Sequence, residues 1–292
     1  MLNRPSFAER CFDLVNMLFL VLLMLVTVYP IIYVALASIS DASSLMAHKG
    51  MLWHPLGFTL DAYSYVFQNP MLLKGYGNTL FVVVVSLVLN IVLTAFGAYA
   101  LSRKSVQYRK PLMLFIVFTM FFSGGLIPLY LTVKGVGLLD SLWALIIPQA
   151  INTFNLILMK TGFEAIPDAL EESAKIDGAN DFVILFRIVL PLSMPVIAVM
   201  LLYYGVAHWN SWFNAMIFLQ ERTLYPLQLV LREILLQGEA NANSGASDGD
   251  AAALAASMKY ATIMVATVPI LFIYPFLQKY FVKGALIGAI KG

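Results

Sequence analysis

Apolar residues in this chain run in blocks rather than in the narrow stripes of amphipathic helices. Six stretches contain no Asp, Glu, Lys or Arg: residues 14–40, 75–102, 111–133, 141–159, 188–220 and 260–278. A helix needs about 20 mainly apolar residues to cross the hydrocarbon core, so each block predicts one membrane span. The second span is placed at 78–102 and the fifth at 188–208, because the fifth block is longer than one crossing. Its remainder, Trp209 to Gln220, follows Gly205 and either lies at the far interface or re-enters the membrane. The first block is too long for the apolar region of a signal peptide, and Ala35–Ala37 runs directly into a polar loop, so it predicts an uncleaved anchor. The pattern predicts an all-α polytopic membrane protein of one domain over residues 1–292.

Composition supports this reading. The chain is 61% hydrophobic and 12% charged with a mean hydropathy of +0.84, whereas soluble domains carry about 25% charge. A water-soluble domain, a disordered chain and a nucleic-acid binder with a basic face are all excluded. The net charge of +2 matters less than its distribution. With six spans, one set of loops holds twelve Lys and Arg residues, including Arg103, Lys104, Lys160, Lys175 and Arg187, and the other set holds six. The positive-inside rule then places both termini in the cytoplasm. Cys11 is the sole cysteine, so no intrachain disulfide forms.

The loops carry their own signals. Residues 41–74 form an outer loop with Trp53 and Tyr63 suited to the headgroup zone. The longest outer loop, 221–259, opens with Leu227, Val230, Leu231, Ile234 and Leu235 at helical spacing, which predicts an amphipathic helix on the membrane or on another subunit. Its second part, Glu239 to Ala256, has the composition of a flexible segment, read either as a connector or as a partner-contact loop. On the cytoplasmic side, residues 161–187 predict a helical hairpin. Pro167 suits a first helical position, and Asp168, Glu171 and Glu172 suit the first turns. Asp177-Gly178 then supplies a sharp reversal, and Phe182 to Leu190 resumes helical spacing up to Pro191. The small residues Ala169, Ser173, Ala174 and Ala179 predict a face for close approach by a partner.

No catalytic constellation is visible. The chain has no G-x-x-x-x-G-K-[ST] phosphate loop and no H-E-x-x-H. Its three histidines are His48 and His54, in an outer loop, and His208. No nucleophile, base and orienting group can be assembled. The spans lack the ionisable groups that coupled pumps usually need, which weakens a secondary carrier and favours energy supplied by another subunit.

The run Glu172-Ser173-Ala174-Lys175-Ile176-Asp177-Gly178-Ala179, followed by Ile188-Val189-Leu190-Pro191, resembles the E-A-A-x-x-D-G-A…I-x-L-P signature of ABC importer permeases. Ile166-Pro167 and Trp209-Asn210-Ser211-Trp212-Phe213 resemble the maltose-type sugar branch. The opening segment and Tyr225 to Arg232 are similar to its LplC/YtcP-like members, which serve polysaccharide and alginate oligosaccharide importers. The chain departs from the pattern at Ser173, in place of alanine, and at Leu185, where many members carry phenylalanine.

The resemblance implies a type I importer permease in the bacterial cytoplasmic membrane. Its coupling helix would engage a cytoplasmic ATPase through Glu172, Ser173, Ala174, Asp177, Gly178, Ala179, Leu190 and Pro191. It also implies a second homologous permease, two ATPases that bind ATP and magnesium, an extracytoplasmic solute-binding protein and an oligosaccharide cargo, with no catalysis, cofactor or metal in this chain. Asn152, Asn155, Tyr203, Tyr204, His208, Trp209, Asn210, Trp212 and Asn214 combine aromatic faces with hydrogen-bonding groups and stand as substrate-path candidates. Helix–helix hydrogen bonding and interfacial aromatics explain the same residues equally well. A lone carrier or channel for a small polar solute, or an importer permease for a non-sugar cargo, remains the alternative.

Overall fold

The computed structural model describes residues 7–244, 257–272 and 275. Among them helices dominate and no strand forms beyond an isolated bridge between Ser40 and Phe58. Contacts divide the chain into two compact units. One holds the residues up to Asn69 with Glu233–Val268; the other holds Pro70–Arg232 with the residues from Pro269.

In the first unit, α1 (Phe7–Ser38) is apolar on all sides, and its most hydrophobic window has nothing buried. Such a helix suits lipid on every face. Short helices α2 (Ala42–Ala47) and α3 (Asp61–Gln68) come after it. Asp41 caps α2 by accepting from Ser44 N–H at 2.9 Å. Hydrogen bonds from Ser43 and Ser44 hold the Asp41 carboxyl at about 2. Leu52 N–H donates to Tyr29 Oη at 2.9 Å, and Tyr63 Oη bonds Ser38 Oγ at 2.8 Å. Tyr63 is therefore tied to the helix end, while Trp53 is exposed as its headgroup placement requires.

The second unit is organised on α4 (Pro70–Ser102). Its buried residues Leu72, Gly75, Thr79, Val82, Ser86, Asn90, Thr94, Ala98 and Leu101 recur every three or four positions and so share one face. Small and polar residues on such a face let helices approach closely and hydrogen-bond. Against α4 pack α8 (Thr153–Glu164) and a later helix, Met194–Trp209. A Cβ on Gly97 would lie 3.1 Å from Leu156 Cδ1, and one on Gly162 would lie 2.7 Å from Val196 Cγ2.

Several expected spans are broken. The block 111–133 is a pair, α5 (Arg109–Phe121) and α6 (Leu126–Gly135), bent by 112°. The break contains Gly124 and Gly125, and Gly125 takes φ +87°, a conformation that glycine tolerates. The block 141–159 is not one helix. It consists of α7 (Trp143–Ile146), a 3₁₀ turn at Ile147–Gln149, and α8, which starts at an Asn152 cap. Pro148 cannot supply the N–H that a continuous helix needs there.

The hairpin helices are α9 (Asp168–Ile176) and α10 (Asp181–Leu192). At Ser193 the chain turns by 83° into α11 (Met194–Trp209), so the block 188–208 is also not one straight helix. Pro191 and Pro195 flank the turn, each lacking a helical donor. A π-helical stretch at Leu185–Val189 precedes it.

The segment 209–220 holds only α12 (Phe213–Phe218), too short to cross. In α13 (Leu227–Ser244), Leu227, Val230 and Leu231 are buried within their own chain, and Leu227 backbone lies 3.2 Å from the Cβ position of Gly75. The start of this helix therefore does not rest on lipid or on another subunit. Its backbone stays helical through Ser244, in place of the flexible segment that composition predicts. Residues 245–256 of the expected partner-contact loop lie outside the described residues. The last apolar block appears as α14 (Ser257–Phe272), and most of 273–278 is also outside them.

The tight approach of Gly162 to Val196 yields a direct test. Gly162→Ala is expected to destabilise the protein by about 1–3 kcal/mol, the usual cost of overpacking, because Val196 branches at Cβ and all three of its nearest side-chain carbons lie within 3.2 Å of the added methyl. Thermal melting of the purified protein in detergent measures this; an unchanged midpoint would show that α8 and α11 can part freely.

Candidate functional site

Local sequence builds the cytoplasmic hairpin. Pro167 precedes α9 as its cap, with ψ 130°, rather than occupying the first helical position. At the other end Gly178 N–H donates to Lys175 O at 3.0 Å and Ala179 N–H to Ala174 O at 2.9 Å, with Gly178 at φ +82°. This pair of bonds is a Schellman closure, which requires a residue that accepts the left-handed region. Asn180 then caps α10, its Oδ1 accepting from Val183 N–H at 2.9 Å. The result is two helices joined by four ordered residues, with Lys175 Nζ 3.6 Å from Asp181.

The coupling candidates divide by face. Glu172, Ser173, Asp177, Gly178 and Pro191 are exposed. Ala174, Ala179 and Leu190 are instead half-buried against the core of the second unit. The expected small-residue docking face is therefore only half present: Ala169 and Ser173 point outward, while Ala174 and Ala179 serve internal packing. Ser173 Oγ donates to Ala169 O at 2.7 Å, so the serine departure is satisfied within its own helix. Leu185 is buried, and Phe186 meets Phe96 edge-on at 6.1 Å, so leucine fills the core and the aromatic contact moves one residue along. The outward surface adds large apolar groups, with Ile176 86% and Phe182 66% exposed.

A buried ion pair joins this hairpin to α4. Arg103, one residue past the end of α4, pairs with Glu171; their side chains are 12% and 8% exposed. Arg103 also donates to Phe163 O at 3.1 Å and lies 4.9 Å from the centre of the Tyr99 ring. Burial pushes the Arg103 guanidinium below its ordinary value, opposed by the nearby Tyr99, Asp168, Glu164 and Asp181. An exposed pair, Lys104–Asp168 at 2.7 Å, flanks it and holds the Asp168 carboxyl below the usual range. The sequence marks Glu171 only as a favourable first-turn acid. The available signal is its spacing: three residues before Ala174, it shares that residue's inward face.

The substrate-path candidates also divide. Asn152, Asn155, Tyr203, Tyr204 and His208 line a cavity of about 760 Å³, together with Pro148, Gln149, Ile151, Phe154, Leu202, Val206 and Ala207. Tyr204 Oη bonds Thr94 Oγ1 at 2.8 Å and accepts from Asn152 N–H at 3.0 Å. His208 Nε2–H donates to Asn90 Oδ1 at 2.9 Å, while the Asn90 amide nitrogen donates to Ser86 O and Ala150 O. Two polar residues of α4 thus brace the helix that forms one wall.

The other four candidates lie apart from the cavity. Trp209 is buried edge-on to Tyr76 at 6.4 Å, and Asn210 closes α11 by donating from its side chain to Val206 O at 3.0 Å. Trp212 is covered by the Arg232 guanidinium at 3.5 Å from its ring centre, and Asn214 is half-buried on α12.

Comparison with known proteins gives a consistent result. The profile of the binding-protein-dependent transport system inner membrane component matches residues 94–287. The polygalacturonan/rhamnogalacturonan transport system permease protein YtcP of Bacillus subtilis (strain 168) is 44% identical, covering 97% of this chain and 99% of its own. Protein LplC of the same organism is 44% identical over 98% of this chain and 96% of its own. A chain in the crystal structure of a bacterial ABC transporter involved in the import of the acidic polysaccharide alginate superposes with a TM-score of 0.86 at 33% identity, covering 94% of this chain and 98% of that one.

Breaking the buried pair by Glu171→Ala is expected to destabilise the protein by about 3–5 kcal/mol, because Arg103 is left buried without its counter-charge. Lys104→Ala, at an exposed pair, is expected to cost at most about 1 kcal/mol. Melting of both variants against the parent tests the contrast, and equal small losses would show that Arg103 escapes to solvent.

Proposed function

The chain belongs to the family of binding-protein-dependent transport system inner membrane components, and from that premise we propose that it is a membrane subunit of an ATP-driven importer that carries oligosaccharides into the cytoplasm. The relatives named for polygalacturonan, rhamnogalacturonan and alginate support a cargo derived from acidic polysaccharides. The observation that carries the mechanism is the hairpin's attachment. An exposed acidic and apolar tip is joined by a buried ion pair to the same helix whose middle braces the cavity wall.

In this reading the complex holds a second homologous permease, two ATPases and a solute-binding protein outside the membrane. ATP and magnesium bind the ATPases, and this chain performs no chemistry of its own. Both termini face the cytoplasm, as the twelve-to-six distribution of Lys and Arg favours. Glu172 and the exposed Ile176 meet the ATPase. Closure of the ATPases moves the hairpin, and α4 passes that movement to the cavity, which opens alternately to either side. The lack of ionisable residues in the apolar blocks weighs against a lone ion-coupled carrier.

Two measurements test this. Gly178→Pro removes the left-handed turn and Glu172→Lys reverses the charge at the tip; each is expected to lower uptake by the reconstituted complex at least about tenfold, since tenfold corresponds to about 1.4 kcal/mol of lost coupling. Normal uptake and normal sugar-stimulated ATP hydrolysis in both variants would remove the hairpin from the mechanism. A reporter fused after Lys175 is expected to read cytoplasmic. An external reading would overturn the orientation and the hairpin's role together.

A further inference from the structure

Arg232 carries a guanidinium that is held in place but not used. It lies over the Trp212 ring, 3.5 Å from the ring centre, as a cation–π stack. Trp212 in turn packs against the core around Val82, Leu145 and Phe218, and meets Phe213 edge-on at 5.5 Å. The start of α13 is fixed as firmly: Leu229, Val230 and Leu231 are buried, and Leu227 N–H donates to Thr79 Oγ1 at 2.8 Å. Among the described residues, however, no Asp or Glu pairs with Arg232 and no oxygen accepts from it. Arg232 is half-buried, and its nitrogens are absent from the buried atoms that lack partners, so they meet solvent. Arg103 also sits against a ring, but its donors are spent on Glu171 and on Phe163 O.

Position and chemistry both restrict what such a group can serve. Thr79, which holds Leu227, lies about 24 residues before Arg103, roughly 36 Å along α4 at 1.5 Å per residue. The stack therefore stands at the end of α4 away from the hairpin, on the side from which cargo arrives if the hairpin is cytoplasmic. Trp212 follows His208, a residue of the cavity wall, by one turn of chain. Stacking occupies the face of a guanidinium and leaves its edge, a planar fork of donors that matches a carboxylate in bidentate fashion. The charge is permanent, so the fork does not depend on pH. Among the described residues, no Asp, Glu, Lys or Arg lines the cavity. An acidic cargo must therefore have its charge read elsewhere.

We propose that Arg232, held flat on Trp212, takes a uronate carboxylate of an acidic oligosaccharide as it enters this subunit. Trp212 acts as a positioning residue: it aims the fork and does not itself meet the carboxylate. This rests on the oligosaccharide-import reading and deepens it, assigning the recognition of cargo charge to one side chain outside the cavity.

The test measures equilibrium binding to the intact permease–ATPase complex in nanodiscs, without the binding protein, using two probes. One is a galacturonate trisaccharide; the other is the same trisaccharide with its carboxylates reduced to alcohols. The parent complex is expected to bind the acidic probe more tightly. Arg232→Gln is expected to weaken binding of the acidic probe about ten- to hundredfold, the range for a hydrogen bond to a charged group, and to leave the reduced probe as it is. Arg232→Lys keeps the charge but loses the fork, and is expected to fall between them. If the glutamine variant fails to assemble, the lysine variant decides by the same difference between probes. Weakening of both probes alike in either variant would make the stack a packing device, and the proposal falls. Parent binding without a preference for the acidic probe would leave the fork to lipid phosphate and also overturn it. So would unaltered binding in Arg232→Gln, including the case where only stimulation of ATP hydrolysis by the binding protein drops, since the carboxylate would then belong to that protein. Uptake into proteoliposomes with the binding protein separates the two readings. A parent complex that fails to import the galacturonate trisaccharide counts against the import reading, whereas parent import with unaltered Arg232 variants counts against this inference alone.

Discussion

The buried pair between Arg103 and Glu171 is the contact on which the functional geometry depends. Two charges removed from water are expensive, and the pair persists only because each satisfies the other and Arg103 finds a further acceptor in the Phe163 carbonyl. That carbonyl belongs to the last turn of α8, so one guanidinium links the end of α4, the end of α8 and the first turns of the hairpin. A hydrophobic contact at the same place would allow sliding. A charge pair with a directional hydrogen bond holds one register, because any displacement strands a charge.

From this junction the constraint runs along α4. Its inward face repeats every three or four residues and carries Ser86, Asn90 and Thr94 where a soluble helix would carry leucine. Within a membrane such groups need partners inside the protein. Asn90 and Thr94 find theirs on α11 at His208 and Tyr204. The same bonds that satisfy α4 therefore position two residues of the cavity wall. Gly97 brings α4 close to α8 at Leu156, and Gly162 brings α8 close to α11 at Val196.

Much of this is legible in the sequence, for identifiable reasons. The helix–turn–helix hairpin arises from local rules: Asp177-Gly178 demands a reversal, and Asn180 caps the second helix. The two long helices α1 and α4 arise from unbroken apolar runs. The other blocks mislead because hydropathy measures environment and not continuity; Gly124-Gly125, Pro148 and the Pro191–Pro195 pair interrupt helices without altering apolarity. The face of Ala174 and Ala179 is ambiguous in sequence because small residues suit a partner interface and an internal one equally well. Arg103–Glu171 and Asn90–His208 each join residues more than 60 positions apart, which no periodicity reveals. Trp209 to Asn214 draws attention as a sugar-like cluster of aromatics and amides, yet those residues cap α11 and pack Arg232 and Tyr76.

These placements also bear on how a push on the hairpin travels. Several routes leave it: the covalent ones through Pro167 into α8 and through α10 into α11, the Phe186–Phe96 contact, and the electrostatic one through Arg103 into α4. The covalent route through α10 passes a π-helical stretch and then turns by 83° at Ser193, between two prolines that leave carbonyls without helical donors. Such a junction is a kink with identifiable causes, the two prolines and the π-helical stretch. The electrostatic route enters an unbroken helix of 33 residues, stiff along its length because every interior turn keeps its hydrogen bonds. Thr94 and Asn90 sit within that helix, about two and a half and three and a half turns from Arg103 at 3.6 residues per turn. In the proposed mechanism, movement of the tip reaches Tyr204 and His208 through α4, the helix that carries their partners Thr94 and Asn90.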